Sequence, residues 1–186
     1  MLGIETIAII FSLLYVVLAA KEHISCWTAA IVSVSLYIYI CYEARLYSET
    51  GLQIFYLFMA FYGWWNWSKK SNSPVLNITE WGLTKHLLII IVGVISTFFM
   101  GFYFTIYTDA SMPILDAFTT IFSIAATYMM VKKVLGNWLY WIVIDITSIH
   151  LYQERALEKT AILFMLYTAM AIFGYFSWAK QIKKNA

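Results

Sequence analysis

Apolar runs bounded by short clusters of charged residues, Gly or Pro divide the chain into seven segments, approximately 4–20, 25–41, 52–68, 84–106, 113–131, 137–152 and 161–179. Most come close to the roughly 20 residues that span a bilayer's hydrocarbon core. In hydrocarbon the backbone must satisfy its own polar groups, so the pattern predicts a helix for each run. Pro113 falls in the first turn of the fifth segment, where a missing N–H costs nothing. Ser71 to Thr79 is the main polar linker, and the stretch around Trp81 is expected at the membrane surface.

The pattern also repeats. At a shift of 111 positions, Phe11 matches Phe122, Lys21 matches Lys132, Trp27 matches Trp138, Glu43 matches Glu154, Tyr56 matches Tyr167, Gly63 matches Gly174 and Trp67 matches Trp178. Apolar bias alone would not bring Trp, Glu and Gly into register. Segments one to three (1–70) therefore form one unit and segments five to seven (111–186) a second. The fourth segment, within 71–110, has no counterpart and acts as an inverting spacer. Three helices, one helix and three more restore the starting direction, so the two units run parallel about an axis along the membrane normal, an organisation used by transporters of the SWEET type. The predicted fold is an all-α membrane protein with a 3+1+3 arrangement.

Composition narrows the class. Hydrophobic residues make up 62% of the 186 and charged ones 12%, against about 25% charged in soluble domains. Seven spans leave no room for a soluble catalytic domain. Cys26 and Cys41 lie on one helix, too far apart to bridge, and read as small buried hydrophobes. Glu5 stands where a cleavable signal would be basic, so the first segment is expected to remain. Lys21, Lys69, Lys70, Lys85, Lys132, Lys133, Lys180, Lys183 and Lys184 share one face, and Arg45, Arg155 and Lys159 the other. The lysine-rich face should be cytoplasmic, with the N-terminus outside. The Asn77–Thr79 glycosylation pattern then lies on the wrong side to matter.

The sharpest candidate residue is Asp145, midway along WLYWIVIDITSIHLY. Insertion scales assign about 2.5–3.5 kcal/mol to an Asp at a helix centre, a cost that asks for a purpose. It either lines a substrate path or fixes packing through an interhelical hydrogen bond. At helical spacing Trp138, Trp141, Asp145, Ser148 and Tyr152 fall on one arc. Indoles beside a carboxylate suit a flat cationic ring, although Trp138, like Trp27, could instead anchor at the interface. Polar residues found in only one unit are expected to meet an asymmetric ligand: Asp145 faces Val34 in the alignment, Trp141 faces Ala30, and Gln53 faces Phe164. The Gln53 amide can both donate to and accept from sugar hydroxyls. Tyr56 is equally a scaffold or a site residue, while Ala60 and Gly63 read as close-packing positions.

Asp116, Thr119, Thr120, Ser123 and Thr127 form a polar stripe on the fifth segment that lines a pathway or bonds back to its own helix. Asp116 and Glu5, in first turns, complement the helix dipole. Tyr62 to Trp67, YGWWNW, reads as an aromatic belt, with Trp64 and Asn66 as possible gate residues. His23, His86 and His150 sit near helix ends and read as interfacial. No phosphate-binding loop, metal-ligand spacing, nucleophile elbow or nucleic-acid stripe occurs, so no cofactor, metal or ATP-driven step is called for. A membrane enzyme would need a second buried catalytic group, and an accessory-subunit role is the remaining alternative.

GLQIFYLFMAFYGWWNW and DAFTTIFSIAATYMMVKKVLGNWLYWIVIDITSIHLY resemble the PnuC-type nicotinamide riboside transporters, and the likeness extends along the whole chain. The resemblance implies a seven-helix 3+1+3 fold, a homotrimer in the bacterial inner membrane, and facilitated diffusion of the vitamin with trapping by phosphorylation, feeding NAD biosynthesis. It also implies a pocket drawn from Gln53, Tyr56, Trp138, Trp141 and Asp145, to which Thr120 and Ser148 are added from the stripe and the arc. Many such transporters have Asn where this chain has Asp145. A carboxylate there would either strengthen attraction to the pyridinium cation or mark the thiamine-transporting branch, whose thiazolium is also cationic.

Overall fold

A computed structural model describes residues 2–43, 47–68, 77–108, 111–155 and 157–185. It contains α1 (Leu2–Ala20), α2 (Ser25–Glu43), α3 (Tyr47–Trp67), α4 (Leu83–Tyr107), α5 (Pro113–Val131), α6 (Asn137–Glu154) and α7 (Glu158–Asn185), with no strand among the described residues. Arg45, Lys69, Lys70 and the linker residues 71–76 lie outside that set. The helices run past their apolar runs, most clearly where α3 begins at Tyr47 and α7 ends at Asn185. Hydropathy marks where lipid contact ends, whereas a helix can continue into the polar interface on its own hydrogen bonds. Five helices are long and apolar enough to cross a membrane by composition alone. The two that fall short, α3 and α6, carry Gln53 and Asp145 and are packed between the others.

Six helices form a closed ring in the order α1, α2, α3, α5, α6, α7 and back to α1, while α4 lies outside it, packed along α5 and reaching α6 through His86, whose Nδ1 pairs with the Tyr140 hydroxyl at 3.2 Å. Among the described residues α1 does not touch α3, nor α5 touch α7. Each unit is therefore open between its first and third helices, and each closes on the other unit. The ring has two such seams, α3 on α5 and α7 on α1.

Both seams are built from the same positions of the repeat. Asn66 Nδ2 and Trp67 Nε1 donate to the Val131 carbonyl at 2.9 and 3.0 Å. Their counterparts Ser177 Oγ and Trp178 Nε1 donate to the Ala20 and Ala19 carbonyls at 2.9 and 3.1 Å. These carbonyls belong to the last turns of α5 and α1, which have no intrahelical donors left. Deeper in the ring Ser12 and Tyr167 share a hydrogen bond of 2.5 Å, and Ser123 and Tyr56 pair at the other seam.

Four tryptophans fill the lysine-rich end. Trp27 meets Trp67 edge-on at 5.2 Å and 87°, and Trp138 meets Trp178 at 5.4 Å and 86°. Trp67 and Trp178 touch across the centre at 6.3 Å. Trp27, Trp138 and Trp178 are no more than 1% exposed, so Trp27 and Trp138 are not interfacial anchors: the ring interior takes them up. Glycine makes the seats. A Cβ on Gly174 would lie 2.7 Å from the Trp138 ring, and one on Gly63 would overlap Trp27. YGWWNW divides accordingly, with Trp64 and Trp65 exposed as a belt and Asn66 and Trp67 turned inward.

Outside the ring, α4 buries Gly93, Thr97 and Gly101 against α5 and leaves Phe98, Phe99 and Phe102 exposed. The linker before it is pinned to the α5–α6 turn, where Thr79 accepts from Leu135 N at 2.8 Å and donates to the Lys133 carbonyl at 2.9 Å.

Adding one methyl at Gly63 tests the glycine seat. Gly63→Ala should destabilise the protein by about 1–3 kcal/mol through overpacking, read as a lower melting temperature in detergent. Gly51→Ala, with open space around it, should leave melting unchanged or slightly raised.

Candidate functional site

The ring encloses a cavity of about 710 Å³, lined from all seven helices. One end rests on Trp27, Trp138, Met130, Ala60 and Ala171; the other reaches Glu49, Thr108, Asp116 and Arg155. Its long axis therefore follows the helices, from the tryptophan layer to the lysine-poor end.

Much of the polar lining is committed to the scaffold. Ser33 donates to the Ala8 carbonyl at 2.9 Å, Thr127 to the Ser123 carbonyl at 2.7 Å and Thr119 to the Asp116 carbonyl at 3.0 Å. Ser12 is held by Tyr167 and by the Ile9 carbonyl. By contrast Gln53, Thr120, Asp145 and Ser148 line the cavity and take no side-chain hydrogen bond or ion pair from the described residues. Asp145 is only 4% exposed. Buried polar groups are nearly always partnered, so the buried Asp145 and Ser148, with the half-buried Gln53 and Thr120 facing the same void, mark a place built for a ligand's polar atoms. Trp141, on the same arc of α6, adds a half-buried aromatic wall.

The two ends are closed differently. Beyond the tryptophan layer, Glu22 and Lys133 form an ion pair of 2.7 Å with side chains 18% and 12% exposed. They are equivalent positions of the repeat, and both adopt left-handed backbone, φ 54° and 51°, immediately after α1 and α5. Non-glycine residues rarely hold that conformation, and here both turns aim their side chains at one another across the ring. Lys133 also lies 4.7 Å from the Trp67 ring centre. Lys132 donates to the Tyr62 hydroxyl at 2.6 Å, which holds its ammonium above the ordinary lysine range. At the opposite end Arg155 donates to Asp116 at 2.5 Å and to Ser111 at 3.2 Å, and Tyr152 stacks on Phe164 at 5.2 Å. Asp116 is therefore more than a dipole cap. Glu5, on α1, is exposed.

All seven residues expected to bind substrate, Gln53, Tyr56, Thr120, Trp138, Trp141, Asp145 and Ser148, border this one cavity. Trp138 sits at its floor and Asp145 part-way up α6. Ser12, Trp27 and Tyr167, the repeat partners of Ser123, Trp138 and Tyr56, also line the wall and were not among the expected site residues. Their conservation between the units was itself the available signal. Tyr15, Tyr37, Glu49 and Phe164 also line it and carried none.

Comparison with known proteins agrees with this geometry. Residues 2–180 match the family described as "Nicotinamide mononucleotide transporter". The nicotinamide riboside transporter PnuC of Neisseria mucosa is 26% identical over 98% of this chain and 74% of its own length. That of Escherichia coli is 26% identical over 98% of this chain and 87% of its own. Among solved structures, the crystal structure of the vitamin B3 transporter PnuC superposes with a TM-score of 0.80 at 24% identity, covering 99% of this chain and 83% of that one.

Charge reversal tests the pairing below the tryptophan layer. Glu22→Lys should lower the melting temperature by about 3 °C, as expected for roughly 1 kcal/mol in a chain of this size. The double variant Glu22→Lys with Lys133→Glu should recover most of the loss, whereas equal melting in all three forms would show that the pair contributes nothing.

Proposed function

The chain belongs to the nicotinamide mononucleotide transporter family, and from that premise we propose that it carries nicotinamide riboside, a nucleoside whose pyridinium ring is a cation, across the membrane. The unpartnered Asp145 beside Trp141 carries this reading. The carboxylate offsets the ring's positive charge, the indole stacks on its face, and Gln53 orients the ribose hydroxyls. Tyr56 and Thr120 border the same space from α3 and α5, with Trp138 and Ser148 on α6.

Charge separates the riboside from the mononucleotide. Among the described residues the cavity wall carries Glu49, Asp116 and Asp145 against a single cation, Arg155, which Asp116 already occupies. A phosphate group would find no free counter-charge and a wall of net negative charge. The dephosphorylated nucleoside fits; thiamine, also a cation with a flat ring, meets the same requirement and is the competing substrate.

In this reading flux runs down the substrate's own gradient, which phosphorylation inside the cell keeps steep. The lysine-rich end faces the cytoplasm of the bacterial inner membrane by the positive-inside rule, with the N-terminus outside. The units 1–70 and 111–186 rock at their two seams, opening one end of the cavity as the other closes. The assembly is a homotrimer, which light scattering on the detergent-solubilised protein checks.

Proteoliposomes containing the purified protein should take up labelled nicotinamide riboside, and nicotinamide mononucleotide no faster than protein-free vesicles. Trp141→Ala should cut uptake by about tenfold or more, as removal of a stacking partner worth roughly 1–3 kcal/mol implies. Uptake of the mononucleotide at a comparable rate would contradict the charge argument.

A further inference from the structure

Outside the ring, Trp81, Lys85, Leu88, Ile89, Ala125 and Tyr128 line an open groove of about 270 Å³ between α4 and α5. Leu87, Leu88, Ile91 and Ile124 are exposed around it, so it opens toward lipid rather than toward the central cavity. Ala125 is the one small side chain in its wall. The groove lies at the lysine-rich end, because Thr79, two residues before Trp81, is bonded to the α5–α6 turn. Its mouth is built of rings and ammonium groups. Lys85 Nζ lies 5.4 Å from the Trp81 ring centre, the Trp81 and Tyr128 rings are 6.4 Å apart, and Lys132 Nζ lies 5.7 Å from the Tyr128 ring centre. One turn deeper on each helix, Leu88 and Ile89 follow Lys85 on α4, and Ala125 precedes Tyr128 on α5. Aromatic rings and cations at the depth of lipid headgroups, with an apolar channel running inward from them, match the two halves of a phospholipid.

The charge of the two lysines is not balanced within the chain. Neither forms an ion pair with a described residue: Lys85 lies over the indole, and Lys132 over two tyrosine rings while it donates to the Tyr62 hydroxyl. Among the described residues only two acids belong to this end. Glu22 is held by Lys133, and Glu80 is exposed and paired with neither lysine. A second copy lying the same way up in the membrane has the same shortage of acid at this level, so the complementary charge is that of the lipid. We propose that the groove binds one anionic phospholipid of the leaflet on the lysine-rich side, its phosphate between Lys85 and Lys132 and an acyl chain along Leu88, Ile89 and Ala125. The repeat allows one such lipid per chain: Tyr128 and Ala125 correspond to Val17 and Leu14, and no helix outside the ring packs on α1 as α4 packs on α5. The site is independent of which vitamin the central cavity takes.

Native mass spectrometry of the detergent-purified protein, with phosphatidylglycerol and phosphatidylcholine of identical acyl chains, tests this. Phosphatidylglycerol should bind at one tight site per chain, with an advantage over phosphatidylcholine of about fivefold for each lysine near the headgroup. Lys85→Gln should weaken phosphatidylglycerol about fivefold and leave phosphatidylcholine unchanged. Ala125→Phe, which fills the acyl seat, should weaken both. Lys85 is exposed, so Lys85→Gln should melt like the wild type in lipid-free detergent, and it decides the matter by itself if Ala125→Phe folds poorly. Glycerol phosphate has no chain to seat and should not displace the lipid; displacement would show a simple anion site instead. A second copy seated in the groove would leave the assembled protein with no preference between the two lipids. That result, or undiminished phosphatidylglycerol binding by Lys85→Gln, would overturn the proposal.

Discussion

The architecture depends on a missing contact. Among the described residues the first and third helices of each three-helix unit have no close backbone approach, so neither unit can bury its own open side. The only closed solution for two such units is to exchange seats, α3 on α5 and α7 on α1, and the repeat ensures that both exchanges use the same residues. Trp67 and Trp178 reach across to the last carbonyls of the opposite unit, and Trp27 and Trp138 fill the space left by Gly63 and Gly174. A central cavity follows from six helices in a ring with no partner in the middle. The seams that close the ring rest on hydrogen bonds and a few aromatic contacts, so two packed units can slide there without taking either core apart.

A symmetric scaffold holds an asymmetric wall. The equivalent positions Ser12 and Ser123, and Tyr167 and Tyr56, tie the two seams together in pairs. Asp145 stands opposite Val34 in the repeat, and Trp141 opposite Ala30, so the charge and the free indole belong to one side only. One half of the cavity is thus suited to a flat cation, and the other supplies a largely neutral surface. Asp145 is tolerable in this position because the ring screens it from lipid, even though none of the described residues pairs with it.

Much of this was legible in the chain. Hydrophobic runs located the helices because lipid contact demands apolar length, and the 111-residue register revealed the repeat because Trp, Gly and Glu cannot recur in step by apolar bias. Helical spacing put Trp138, Trp141, Asp145 and Ser148 on a common arc, and the cavity lies along it. What stayed hidden depends on contacts between units. Nothing local tells an interfacial tryptophan from a buried one, so Trp27 and Trp138 read equally as anchors. That Glu22 meets Lys133, or Arg155 meets Asp116, requires knowing which helix ends converge. The extensions of α3 and α7 were invisible to hydropathy because they lie outside the apolar runs.

The central claim is that a small cationic vitamin rests in the ring, against the buried acid Asp145. A structure of the protein determined with nicotinamide riboside bound tests this most directly. The pyridinium should lie on the Trp141 ring with its charge toward the Asp145 carboxyl and its ribose toward Gln53. Density for the ligand outside the cavity, or within it but with the Asp145 carboxyl turned away from the ring, would contradict the account.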